Sequence, residues 1–212
     1  MPLIYRKEVA SECILGLWEI SENYDSLFKS LALTPDELYT LNSFQNHRRK
    51  IEWLSVRVLM NTLAGYECRI LYTEERKPYL QNNDWNISIS HSQNLTSILM
   101  AKKKKPGIDL EYMSHKINKV AYKFIHEKEF ISSIPEKEIY HLYIHWCAKE
   151  AIYKLCDKED INFKENIFIS PFDPVDNGQI NALLSNKNGR KQFTLHYFKK
   201  ENYIIVYCIH PC

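Results

Sequence analysis

The sequence predicts an α+β fold made of two similar α+β halves. A succession of strand, helices and strands runs along the chain and then repeats. Near the middle a lysine run ending in proline and glycine (KKKKPG, 102–107) interrupts it. The repeat is one of pattern and not of residues, and it divides the chain into an N-terminal half over 1–105 and a C-terminal half over 106–212. The composition agrees. The 212 residues are 45% hydrophobic and 13% aromatic, with 5 Gly and 8 Pro, which suits a buried core and argues against a disordered or fibrous chain. Two halves of like pattern place a site most naturally between them.

Cys13 to Ile20 (CILGLWEI) reads as a buried strand. Thr34-Pro35-Asp36-Glu37 is a helix start, with Thr at the N-cap, Pro at the first helical position and Glu closing a capping box. From His47 to Leu63 the period is helical. Ile51, Leu54, Val58 and Leu63 form one stripe, Arg48, Lys50 and Glu52 lie off it, and Gly65 is the stop. Strands are predicted at Cys68–Thr73, Asn86–His91, Leu95–Ala101 and Gly107–Tyr112, with Lys102–Gly107 as a break. Short helices over Lys116–Phe124 and Glu127–Ser133 and a long one over Glu136–Cys156 follow. After a loop from Pro171 to Gly178, Gln179–Leu184, Gln192–Phe198 and Tyr203–Ile209 read as closing strands.

With 28 Lys and Arg against 26 Asp and Glu, the net charge is +2, so a bulk electrostatic footprint for nucleic acid is lacking. Cys13, Cys68, Cys147, Cys156, Cys208 and Cys212 form no C-x-x-C pair and no Cys/His group with zinc spacing. They read as small core residues of a reducing compartment. The opening MPLIYRKEVA has no apolar region after its charges, and no apolar run reaches spanning length. The expectation is a soluble cytoplasmic protein that engages neither membrane nor nucleic acid.

Four features carry chemistry. In Gly107-Ile108-Asp109-Leu110-Glu111, strand alternation sends Ile108 and Leu110 into the core and Asp109 and Glu111 together to the other face. Adjacent carboxylates repel unless a cation lies between them, and hard oxygens suit magnesium bridged to phosphate. The plain alternative is an acidic, solvated edge strand. In Trp146-Cys147-Ala148-Lys149-Glu150-Ala151-Ile152-Tyr153-Lys154, residues Trp146, Glu150 and Lys154 share a helix face. An exposed Glu–Lys pair would explain two of them. A Trp one turn away argues instead for a half-buried face that meets an anionic ligand and a metal. In Asn86-Ile87-Ser88-Ile89-Ser90-His91-Ser92 the serines share a face and His91 ends the strand, which could bind phosphate or be a surface histidine. Arg48, Arg49 and Arg57 on one helix and Arg76-Lys77-Pro78 between two strands are basic. Such charges usually face solvent, and Lys102–Lys105 reads as a solvated hairpin turn.

In this order, G-I-D-x-E at Gly107–Glu111 and W-x-x-K-E-A-x-x-K at Trp146–Lys154, with S-x-S-H and K-P upstream, resemble the surfactin-type 4'-phosphopantetheinyl transferases. The resemblance spans roughly Thr34 to Ile209. It implies two α+β halves with pseudo-two-fold symmetry, coenzyme A in the cleft between them, and a monomer. It implies that Asp109, Glu111 and Glu150 hold magnesium against the coenzyme A pyrophosphate. Ser90 and His91 would lie by the nucleotide, with His91 near its 3'-phosphate, and Lys77 nearby. Lys149 and Lys154 would contact phosphates, Lys154 being the better candidate for the pyrophosphate.

The reaction so implied is of holo-acyl-carrier-protein synthase type. A serine of an apo acyl, peptidyl or polyketide carrier protein attacks the β-phosphoryl group and expels 3',5'-adenosine bisphosphate. Glu150 or a metal-bound water takes the proton. Where many relatives carry a basic residue after the first helix start, this chain has Asp36, Glu37 and Thr40, and Arg48 and Arg49 are the replacements expected for the anion contacts. The competing reading is a non-catalytic module that binds coenzyme A or a carrier. The complete acidic triad weighs against it.

Overall fold

The computed structural model describes residues 2–156 and 160–211, so Cys212 of the cysteine set lies outside the described residues. Contacts divide the chain into two units, Met1–Lys102 and Lys103–Cys212. Both combine an antiparallel sheet with a long helix, which is the α+β class expected.

In the first unit, β1 (Leu3–Ala10) and β2 (Cys13–Glu19) form a hairpin, and β5 (Asn86–Ser92) and β6 (Leu95–Ala101) form another. They make a four-stranded sheet in the order β1-β2-β6-β5. Two helices, α1 (Tyr24–Lys29) and α2 (Pro35–Ser43), precede α3 (His47–Ala64), and the small ribbon of β3 (Ile70–Tyr72) and β4 (Pro78–Leu80) follows it. The expected capping box at Thr34 is present, and Gly65 ends α3 at φ 80°, its N–H donating to the Asn61 carbonyl. α3 buries two sides. Val56, Leu59, Met60 and Leu63 pack with Trp18, Ile98 and Met100 of the sheet. Trp53 and Leu54 join Leu27 and Leu41 in a second small core.

One charge of α3 corrects the sequence reading. Arg57 is buried at 4% exposure, its guanidinium lying over the Trp53 ring and its Nε donating to Glu37 Oε1 at 3.2 Å. Glu37 Oε2 also accepts from Arg69 at 3.1 Å and from the Thr34 N–H at 3.1 Å. Glu37 is therefore acidic for a structural reason, since it caps α2 and neutralises two arginines. Breaking so buried a pair from one side costs about 3–5 kcal/mol.

In the second unit, β7 (Lys104–Tyr112), β8 (Ile167–Ile169), β9 (Asn177–Asn186), β10 (Gly189–Lys200) and β11 (Tyr203–Pro211) form one sheet in the order β7-β11-β10-β9-β8. Here the predicted break over Lys102–Gly107 is corrected. β7 already begins at Lys104 and pairs with β11, so Lys104 and Lys105 belong to a strand and not to a turn. Against this sheet lies α4 (Pro135–Leu155), followed by the short α5 (Phe163–Asn166). Two 3₁₀ turns, His115–Lys119 and Ala121–Lys123, replace the helix predicted over Lys116–Phe124, and 127–133 is irregular. Among the described residues, no helix is long and apolar enough to cross a membrane.

Candidate active site

Asp109 and Glu111 do share a face of β7, but it is the face toward α4, opposite to the one alternation suggested. Cross-strand register puts Gly107 beside Cys208, Asp109 beside Val206 and Glu111 beside Ile204, and all three partners belong to the core under α4. Ile108 and Leu110 are fully buried on the opposite face, level with Tyr207 and Ile205. Alternation cannot tell the faces of a strand buried on both sides. Gly107 explains the close approach, since a Cβ there would overlap the Ala151 carbonyl oxygen of α4.

The carboxylate of Asp109, 4% exposed, meets α4 directly. Its Oδ1 accepts from Lys154 Nζ at 2.7 Å, and the same ammonium donates to the Ile108 carbonyl at 3.1 Å. Lys154 keeps about a quarter of its side chain exposed (24%), so it is bound to the strand without being sealed. Cys147, one turn before Glu150 on α4, has its thiol pushed up by burial first and then by the nearby carboxylates Asp109 and Glu111. The sequence reading took Cys147 for core filling; the structure also makes it a neighbour of the acidic pair. Glu111, Glu150 and Trp146 are half-buried. The donors fit a divalent cation in kind, being hard oxygens on a strand and the helix it packs against, with a lysine among them. They are not drawn into a finished cage: among the described residues, no three His, Cys, Asp or Glu side chains are gathered closely enough to hold a metal.

Lys149 departs from expectation. It is fully buried, and its ammonium donates to the Phe124 carbonyl (2.7 Å), Glu129 Oε2 (2.7 Å) and the Phe163 carbonyl (3.1 Å). Burial pushes its pKa down and Glu129 pulls it back up. All three bonds lie inside the unit, where the sequence leads one to expect a phosphate contact. Its partner Glu129 gave no sequence signal.

In the first unit the basic residues gather at the start of α3. Arg49 Nη1 lies 2.7 Å from His91 Nε2 and 3.4 Å from Glu52 Oε2, while His91 Nδ1 is 3.6 Å from the same oxygen. A guanidinium can only donate, so His91 Nε2 accepts and the imidazole proton sits on Nδ1, facing Glu52. Arg48 reaches Glu52 (3.4 Å), Asn94 (3.2 Å) and Gln93 (3.5 Å). Glu52, three and four residues on from these arginines, is the residue the sequence reading passed over, although that helical spacing was its signal. Ser90 is buried next to His91, its carbonyl accepting from Ser97. Lys77 closes the turn between β3 and β4, with its backbone bonded to Thr73.

Asp109 of the strand and Lys154 of the helix, the acidic and basic pair, both lie within a region that matches a known family. Residues 105–208, about half of the chain, match the family model of the 4'-phosphopantetheinyl transferase superfamily. Among characterised relatives, it is similar to the 4'-phosphopantetheinyl transferase HetI of Nostoc sp. (strain PCC 7120), with 28% identity over 180 residues, covering 75% of this chain and 76% of the relative. The family acts on coenzyme A and carrier proteins.

Proposed function

We propose that the protein transfers the 4'-phosphopantetheine arm of coenzyme A to a serine of an apo carrier protein and releases 3',5'-adenosine bisphosphate. The observation that carries this reading is the Asp109–Lys154 pair. It joins the two family motifs at 2.7 Å and sets a carboxylate and an ammonium side by side, as a pyrophosphate substrate with a cation requires. Asp109, Glu111 and Glu150 would hold magnesium, which when bound would neutralise charge on the pyrophosphate. Lys154 would bind the phosphoryl oxygens and stabilise the charge they gather. Glu150 would accept the proton as the serine oxygen forms its bond to the β-phosphorus and the bond to the departing bisphosphate breaks. His91, Arg48, Arg49, Ser90 and Lys77 would serve the nucleotide end. The surfactin-type pseudo-two-fold symmetry, the division into functional halves, monomeric action and a cytoplasmic setting belong to the same reading.

The deciding experiment incubates the protein with apo carrier protein, magnesium and coenzyme A and follows carrier mass. The phosphopantetheine gain is expected for the wild type and for none of the Asp109→Ala samples, with the variant's fold checked by circular dichroism. A fully active Asp109→Ala protein would remove the acidic site from the mechanism. Coenzyme A binding without mass gain would favour the binding-module reading.

A further inference from the structure

We propose that Lys149 and Glu129 form a buried positioning pair that sets where Glu150 and Lys154 stand, and that Lys149 touches no substrate atom. The proposal rests on the transferase reading above and deepens it.

The pair is sealed, with both side chains at 0% exposure, and it is saturated with directional bonds. Lys149 donates to Glu129, to Phe124 and to Phe163. Glu129 Oε2 accepts in addition from the His126 N–H at 2.8 Å, and Oε1 accepts from the Ile169 N–H at 2.7 Å. One ion pair thus ties together α4, the connection that leads from β7 to α4, the first residue of α5 and the end of β8. The strand at one end of that connection carries Asp109 and Glu111, and the helix at the other end carries Glu150 and Lys154.

α4 needs such a device because its apolar surface does not fix its rotation. Residues 141–145, 147–149, 151, 152 and 155 are all buried, a run that covers nearly every side of the helix. Apolar burial is non-directional and tolerates a roll about the axis. Three hydrogen bonds from one ammonium do not. A roll of about 20° would carry a side-chain tip about 2 Å along an arc at the helix's outer radius. Misplacement of about 1 Å at a reacting centre costs on the order of 100-fold in rate. Lys149 is adjacent to Glu150 and five residues before Lys154, so little play separates the clamp from the groups it sets.

The test compares wild type, Lys149→Met, Glu129→Gln and the double variant Lys149→Met/Glu129→Gln. Three readouts are used: thermal unfolding, transfer kinetics with coenzyme A and apo carrier, and the NMR signal of the Lys154 ammonium held on Asp109. Folded variants are expected to lose kcat on the order of 100-fold while KM for coenzyme A stays within about three-fold. The Lys154 signal should shift or vanish, and the double variant should be no worse than either single one, because the two residues act as one unit. If a single variant leaves its partner's charge stranded and fails to fold, the double variant, which removes both charges, decides.

A ten-fold or larger rise in KM with kcat intact would make Lys149 a phosphate contact and overturn the proposal. So would single-variant losses that multiply in the double variant. A folded double variant with wild-type kcat and an unmoved Lys154 signal would reduce the pair to a stabilising contact. Should the wild type transfer nothing, the transferase reading falls, and the Lys154 signal alone judges the pair: retained in the double variant, it overturns the positioning role.

Discussion

His91 illustrates how far one residue's role depends on partners the linear sequence does not display. Its Nε2 is held by Arg49 and its Nδ1 faces Glu52, within a basic group at the head of α3. That arrangement suits positioning of the Arg49 guanidinium better than proton transfer, since Nε2 is already held. His91→Ala is expected to free Arg49 and so raise KM for coenzyme A on the order of ten-fold, the worth of one charge-assisted contact from that guanidinium, with kcat little changed. A collapse of kcat at saturating coenzyme A would make it catalytic instead. That Asp109 and Glu111 share a face was legible from strand alternation, but which face they take was not, because β7 is buried on both sides. Lys149 sits in the motif of Glu150 and Lys154, and its burial was not legible, because helix spacing tells direction around the axis and not depth. Its depth is set by Glu129, twenty residues upstream in an irregular segment with no period to read.

The elements legible in the sequence included the helices with a cap or a long period, α2 with its capping box, α3 with its glycine stop and α4, and the apolar strands β2, β5 and β6. The short ones, α1, α5, β4 and β8, carry too few residues for a period to emerge. The helices expected over 116–124 and 127–133 fail for a reason visible in the structure. Backbone groups in and beside these segments are held by buried side chains of the same unit, and one of them, the Ser132 N–H, is a donor that a helix over 127–133 would need. The Phe124 carbonyl accepts from Lys149, the His126 N–H donates to Glu129, and the Ser132 N–H donates to His141 Nδ1. His141 and His145 of α4 are themselves buried, and burial pushes them down to about 4 and about 3. Free histidines in an unfolded chain take up protons below about 6.5, so from there down to about 4 the unfolded state binds more protons than the folded one. Stability contributed by the neutral rings is therefore complete above pH 6.5 and is lost as pH falls, by about 1.4 kcal/mol per pH unit for each histidine. His145 stacks on Phe172, so His145→Phe can keep that contact. Between pH 7 and pH 5 the variant should lose about 2 kcal/mol less stability than the wild type in urea unfolding. Equal losses would place the acid sensitivity elsewhere.

For the molecule as a whole, a net charge of +2 gives no general field strong enough to steer a macromolecular partner, so attraction of a carrier must come from local charge. Carriers of this class are acidic around the modified serine, as the family resemblance implies, and the basic residues that could meet one are Arg48, Arg49, Lys119 and Lys123. The structure weights these unequally. Arg48 and Arg49 are exposed but share Glu52, which spends much of their field locally. Lys119 and Lys123 are exposed in the 3₁₀ turns that follow β7, Lys123 lying over the Tyr122 ring. Attraction between such a patch and an acidic partner acts mainly on association and is screened over about 8 Å at physiological ionic strength. Raising salt should therefore increase the apparent KM for carrier more than it lowers kcat. The double charge reversal Lys119→Glu/Lys123→Glu should raise that KM at low salt and flatten its salt dependence. Docking through apolar contacts makes the opposite forecast, because burial of apolar surface holds steady or strengthens as salt rises. A carrier KM that stays flat from low to high salt, with magnesium and coenzyme A saturating, would transfer the docking role from Lys119 and Lys123 to the exposed Val120 and Tyr122 beside them.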